Sequence, residues 1–150
     1  MRRTTTALLG GLLLLATSGC AMLELVETRD FLGFKTSLSD TQKRYTRLVR
    51  WNEFARASEA VAPEQRDEFL AGMRALGEVR FTDYETEAPV FDERVETAMV
   101  RVRYTAYHAE TLSAVTYVEE QRWERTPGGS DWHVEHEGTP LIESASVGAR

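Results

Sequence analysis

Glu119 is the side chain of this sequence best suited to move a proton. Val115, Tyr117, Glu119, Gln121 and Trp123 alternate with Thr116, Val118, Glu120 and Arg122, the twofold period of a strand with one dry face. That alternation makes Glu119 the only carboxylate on the face shared by Tyr117 and Trp123. A carboxyl buried among apolar groups has a raised pKa and can act as a general base. Tyr45 or Tyr104 would supply the orienting hydroxyl. A structural reading competes and takes precedence: a register slip of one residue turns Glu119 to water, or it pairs across strands with Arg101 or Arg103. No inward Asp–His pair accompanies it.

The other chemistry-bearing residues are sparse. His133 and His136 stand three apart, a spacing that sends two side chains to opposite faces of a strand. We therefore expect no metal there, and no Cys or His spacing matches a zinc site. His136 joins the face of Trp132 and Val134 only if the strand runs that far, and His108 reads as a solvent-facing loop residue. Trp51, Trp123 and Trp132 read as core and cavity walls, with stacking on an apolar or sugar ligand as the functional alternative. Tyr45, Trp51, Asn52, Tyr104, Tyr117, Glu119, Trp123 and Trp132 are the candidate pocket lining, with Gln121 also facing inward. No phosphate loop, nucleophile elbow or other cofactor signature is present, so no cofactor is expected.

The elements that must position these residues are legible in outline. Ser39-Asp40-Thr41-Gln42 fits a capping box, and Tyr45, Leu48, Val49 and Ala55 recur at helical spacing, widened by Trp51, Phe54 and Val61. The pattern predicts a helix from Ser39 that Pro63 ends. A second helix follows, with Phe69, Leu70, Met73 and Leu76 buried and Gly77 as its stop. Beyond Gly77 the period becomes twofold, around Val79–Phe81, Ala98–Ala106, Val115–Trp123 and Trp132–His136. Pro127-Gly128-Gly129-Ser130-Asp131 is turn chemistry between the last two. Short connections imply antiparallel pairing. The expected fold is α+β, with N-terminal helices packed on a curved antiparallel sheet of about four strands. Arg101, Arg103 and Arg122 with Glu96, Glu120 and Glu124 read as a charge ladder on its outer face.

Cys20 is the sole cysteine and follows Arg2-Arg3, an apolar run from Leu12 to Ala16, and Thr17-Ser18-Gly19. Basic start, short apolar stretch and small residues form a secretory signal, and the run is shorter than the roughly 20 residues a spanning helix needs. The cysteine resembles the acylated residue of a bacterial lipobox, although Thr17 stands where that pattern has Leu. The resemblance implies lipidation, palmitate included, and Ala21 after the cysteine implies outer-membrane sorting, facing the periplasm. The organisation expected is a signal at 1–19, lipidated Cys20 and tether at 20–38, a domain at 39–137 and a flexible tail at 138–150. With 18 basic and 24 acidic residues and a net charge of −6, the chain lacks the basic excess of a nucleic-acid binder. The same balance implies that an anionic membrane repels the domain, so the tether alone holds it there.

The Tyr45-x-x-Leu48-x-x-Trp51-Asn52-Glu53-Phe54 helix, the Val79–Tyr84 strand, and the closing Gln121–Glu124 and Asp131–Val134 strands resemble the NTF2-like (cystatin-like α+β) superfamily, specifically its small bacterial lipoproteins. That resemblance implies a cone with a cavity at its wide end. It spans enzymes and binding modules alike, so fold alone does not choose between them. The reading is a non-catalytic, lipid-anchored binding or interaction module of the cell envelope. Its expected partners are the membrane through its lipid, an envelope protein or a second copy through the sheet face, and a small apolar ligand. The alternative is a small proton-transfer enzyme of isomerase or dehydratase type.

Overall fold

A computed structural model of the chain describes residues 33–136 and 141–144. Cys20, the signal and most of the tether lie outside the described residues. The first helix, α1, runs Phe34–Arg50. It begins before the capping box at Ser39, because its first turn is recruited by tertiary contacts. Gly33 adopts the left-handed conformation at φ 70°, which glycine tolerates without steric cost. The Trp132 indole donates to the Phe34 carbonyl at 3.1 Å, Ser37 Oγ donates to the Ser130 carbonyl at 2.7 Å, and the Arg125 guanidinium lies 4.1 Å over the Phe34 ring. Leu38, expected in the tether, is fully buried; burying such a side chain is worth about 2 kcal/mol.

α1 also ends early, at Arg50 and not at Pro63. Asn52 turns into the left-handed region at φ 58°, its N–H donating to Val49 and that of Glu53 to Leu48. This is a Schellman closure with asparagine at the left-handed position. A short helix α2 (Phe54–Ala57) and a 3₁₀ turn at Ser58–Ala60 follow. Val61 then bridges Val134 in parallel, Pro63 opens a second 3₁₀ turn, and α3 spans Arg66–Ala75.

Among the described residues the sheet has six strands: β1 (Val79–Thr86), β2 (Val90–Phe91), β3 (Thr97–His108), β4 (Ala114–Arg125), β5 (Trp132–Glu135) and β6 (Ile142–Ser144). The hydrogen-bonded path is β1-β3-β4-β5, with β2 beside β3 and β6 beside β4. Every pairing is antiparallel, and the fold is α+β, as the periods predict. The central pair sets the register: Val102 faces Glu119, Val100 faces Gln121 and Tyr104 faces Tyr117. Strict alternation in β3 and β4 sends these residues inward, where α1 and α3 cover them with Leu38, Tyr45, Val49, Phe69 and Met73. The outer face carries a charge ladder whose partners differ in part from those expected: Arg101 sits opposite Glu120 and Arg122 lies 2.6 Å from Glu124, but Arg103 lies 3.5 Å from Glu85.

Two further expectations are corrected. His108 is the last residue of β3 and half-buried, not a loop residue. The stretch from Gly138 onward contributes β6 and the buried Leu141, so it is not uniformly loose. None of the described helices is long and apolar enough to cross a membrane.

Candidate functional site

The interior between α1 and the β3–β4 pair is polar at its centre. α1 contributes Gln42, Tyr45 and Thr46 on successive turns, β3 contributes Tyr104, and β4 contributes Glu119, Gln121 and Trp123 at alternate positions. Glu119 and Gln121 are fully buried. Tyr45 donates to Glu119 Oε1 at 2.6 Å; Tyr104 and Gln121 Nε2 donate to Oε2 at 2.8 and 2.7 Å. Gln121 is itself held, its carbonyl accepting from the Trp123 indole at 3.0 Å and its amide reaching Thr46 Oγ1 at 3.4 Å. Gln42 Nε2 donates to the same Thr46 hydroxyl at 2.9 Å. Among the described residues no buried side-chain nitrogen or oxygen lacks a partner, as an interior polar cluster requires.

His136 extends this cluster outward. Although it follows the end of β5, its ring turns inward, 5% exposed, and stacks on Phe69 with centroids 5.6 Å apart. Its backbone N–H donates to Gln65 Oε1 at 2.9 Å. Its Nε2 lies 3.1 Å from the Tyr45 hydroxyl and 3.7 Å from Glu119 Oε1. Burial pushes the imidazole down to about 4, so it is neutral at pH 7 and the contact with Glu119 is not an ion pair.

Burial likewise raises the Glu119 carboxyl above the ordinary carboxylate range, against the lowering effect of bonds from Tyr45, Gln121 and Tyr104. Both tyrosines are pushed well above 10, by burial first and then by the charge of Glu119, and so remain phenols. Tyr45 has one proton and stands between two acceptors. With Glu119 ionised, Tyr45 donates to it and His136 donates to Tyr45. With Glu119 protonated on Oε1, both bonds reverse and the imidazole accepts. Glu119, Tyr45 and His136 therefore form a three-member chain along which proton direction is coupled.

The structure thus joins Tyr45, Tyr104, Glu119, Gln121 and Trp123, and neither competing arrangement of Glu119 occurs: it faces neither water nor an arginine. Three of the expected lining residues stand apart from the Glu119 cluster, and two of them, Trp51 and Asn52, line a surface cleft instead. Trp51 is 61% exposed, because at about 100° per residue it falls on the helix face away from Tyr45 and Val49. Asn52 points to the sheet edge, donating to the Val79 carbonyl at 3.0 Å. Trp132 is buried, but its indole serves the start of α1 and its ring meets Phe91 at 6.3 Å. Tyr117 is buried against Phe81, centroids 5.9 Å apart. Sequence reasoning missed Gln42, Thr46 and the inward turn of His136. Two polar residues four apart flanking Tyr45 were the available signal for the first two; for the third it was the twofold spacing from Trp132 and Val134, left conditional on the length of the strand.

Surface clefts among the described residues include these two. One, of about 170 Å³, lies among Ala62, Glu64, Arg125, His133 and Glu135. The other, of about 290 Å³, lies beside Trp51 with Arg50, Arg80 and Tyr107. Neither includes Glu119. Among the described residues no three His, Cys, Asp or Glu side chains cluster as a metal site would require. Comparison of the chain with family models, with curated proteins and with solved structures returns no match.

Proposed function

We propose that the chain is a lipid-anchored interaction module of the cell envelope, of NTF2-like type, whose interior carboxyl organises the core and does not process a substrate. The observation that carries this reading is the state of Glu119. It is fully buried, and its two oxygens accept three hydrogen bonds from side chains of the same chain. A base waiting for substrate needs to be within reach of the proton it removes; here burial encloses the carboxyl, and the chain's own donors fill three of its roughly four lone-pair sites. The basic start, apolar run and Cys20 support acylation and export, and the element order of helices before an antiparallel sheet supports the superfamily. Partner contacts then fall to the outer surface, including the Arg101–Glu120 ladder.

Native mass spectrometry of the chain extracted from membranes tests both halves. The expected species carries acyl mass on Cys20 and nothing else small. A stoichiometric extra mass would overturn the closed interior, and a chain without acyl groups, or a Cys20→Ser variant that still pellets with membranes, would overturn the anchor.

One observation favours a second reading, a proton-transfer enzyme: the Glu119–Tyr45–His136 chain links a carboxyl of raised pKa to a neutral imidazole nearer the surface. In that reading Glu119 is the base, Tyr45 and Tyr104 are orienting donors, and substrate entry displaces one of them.

A further inference from the structure

Net charge conceals a segregation on α1. This helix carries five of the chain's 18 basic residues and one, Asp40, of its 24 acidic ones. Lys43, Arg44 and Arg47 are exposed, Arg50 is partly exposed, and Trp51 follows at 61%. At 100° per residue these five fall within about a third of the helix circumference, opposite the buried stripe of Leu38, Gln42, Tyr45 and Val49. Asp40, also exposed, lies on the same face as these cations, one turn before Lys43 and Arg44. No described carboxylate lies within 4.0 Å of the charged nitrogens of Lys43, Arg44, Arg47 or Arg50. The Arg50 guanidinium instead stacks 4.1 Å over Trp51 and donates to the Thr82 carbonyl, and the cleft of about 290 Å³ beside them adds Arg80, whose guanidinium lies 3.6 Å from the Glu78 carboxylate. Cations with no carboxylate partner among the described residues, set along one face that ends in an exposed indole, match the residue chemistry of an amphipathic surface that lies in a lipid headgroup layer.

We propose that this face of α1 docks on an anionic phospholipid surface, with Trp51 seated at headgroup depth and the cleft beside it receiving a lipid phosphate. The proposal builds on the anchored reading, which supplies proximity: the twelve residues between Cys20 and Gly33 reach at most about 45 Å when extended. It reverses what net charge alone implies. At physiological salt, charges act over roughly 8 Å, so a bilayer touching α1 meets its cations while acidic groups elsewhere are screened.

Trp51 is a built-in reporter, since the other two tryptophans, Trp123 and Trp132, are 0% and 2% exposed. The acylated full chain is reconstituted in phosphatidylcholine vesicles with and without phosphatidylglycerol, and acrylamide quenching of tryptophan emission is measured. Quenching should fall several-fold on the anionic vesicles only, and recover at high salt. A Lys43→Glu, Arg47→Glu double variant should lose the shielding while keeping its melting temperature, both side chains being exposed. Equal quenching on the two vesicle types overturns the proposal. Shielding that follows protein concentration instead of lipid charge also overturns it, in favour of contact between copies. A chain found without acyl groups would overturn the anchor separately. Docking is then read from sedimentation of that chain with anionic vesicles at low salt, where failure to sediment overturns it as well.

Discussion

A buried carboxyl with three donors around it has two protonation states that differ in the direction of the bonds beyond it. Protonated Glu119 donates to Tyr45, which then donates to neutral His136; a glutamine amide can make the same pattern, with its NH₂ at Oε1 and its carbonyl at Oε2. Glu119→Gln should therefore fold normally, whereas Glu119→Leu strands the Tyr45 and Tyr104 hydroxyls and should cost roughly 3 kcal/mol or more. The pH dependence has two limbs. Glu119 is raised in the folded chain, so its stabilising effect is complete below its unfolded pKa and declines as pH rises towards the folded one. His136 is lowered from 6.5 to about 4, so the unfolded chain takes up the proton first as pH falls. Stability then drops between those two values by up to about 3 kcal/mol. Urea melts across pH should show Glu119→Gln flattening the first limb and His136→Gln the second. If Glu119→Gln leaves the decline with rising pH unchanged, the carboxyl is not its source. The twofold alternation of β4 offered an inward Glu119 with Tyr45 or Tyr104, but it could not exclude a slip of one residue or a pairing with Arg101 or Arg103, because register depends on the partner strand. His136 was left conditional on the length of the last strand; β5 ends at Glu135, and contacts with Phe69 and Gln65, distant in sequence, hold its ring inward.

At the scale of elements, period was a better guide than punctuation. Alternation located β3, β4 and β5, since one buried face fixes their register. The capping box at Ser39 and the proline at position 63 misplaced both ends of α1: the contacts that start the helix come from Ser130 and Trp132, and the residue that stops it is Asn52. Asparagine is one of the few residues that enters the left-handed region readily, and its side chain also ties the turn to β1 through the Val79 carbonyl. Asn52→Gly should lose only that bond, roughly 1 kcal/mol. Asn52→Val forces a branched side chain to φ 58° and should cost about 2 kcal/mol more. Chemical denaturation of the two variants separates the effects. Equal stability would mean that backbone conformation is not what this position demands.

The whole molecule is completed by a piece of chain whose composition concealed it. The residues from Gly138 are small and polar enough to read as a tail, yet Ile142–Ser144 pairs with Thr116–Val118 of β4 and Leu141 is 3% exposed. β5 takes the other end of the same β4 edge, at Arg122–Arg125. Without β6, the half of β4 that leads to Glu119 would present an open edge, the kind that seeks pairing with another chain. Three residues of modest strand propensity are too short to announce themselves; an existing edge and one apolar anchor recruit them. Leu141→Ala removes the anchor alone and should cost about 2–4 kcal/mol. Ending the chain at Glu137 removes anchor and pairing together, so it should lower stability further, raise hydrogen exchange at the Thr116–Val118 amides and promote self-association. Thermal melts, exchange and light scattering on the two variants check this. A truncated chain that melts with the full-length protein and keeps those amides protected would mean that β6 rests on the sheet without supporting it.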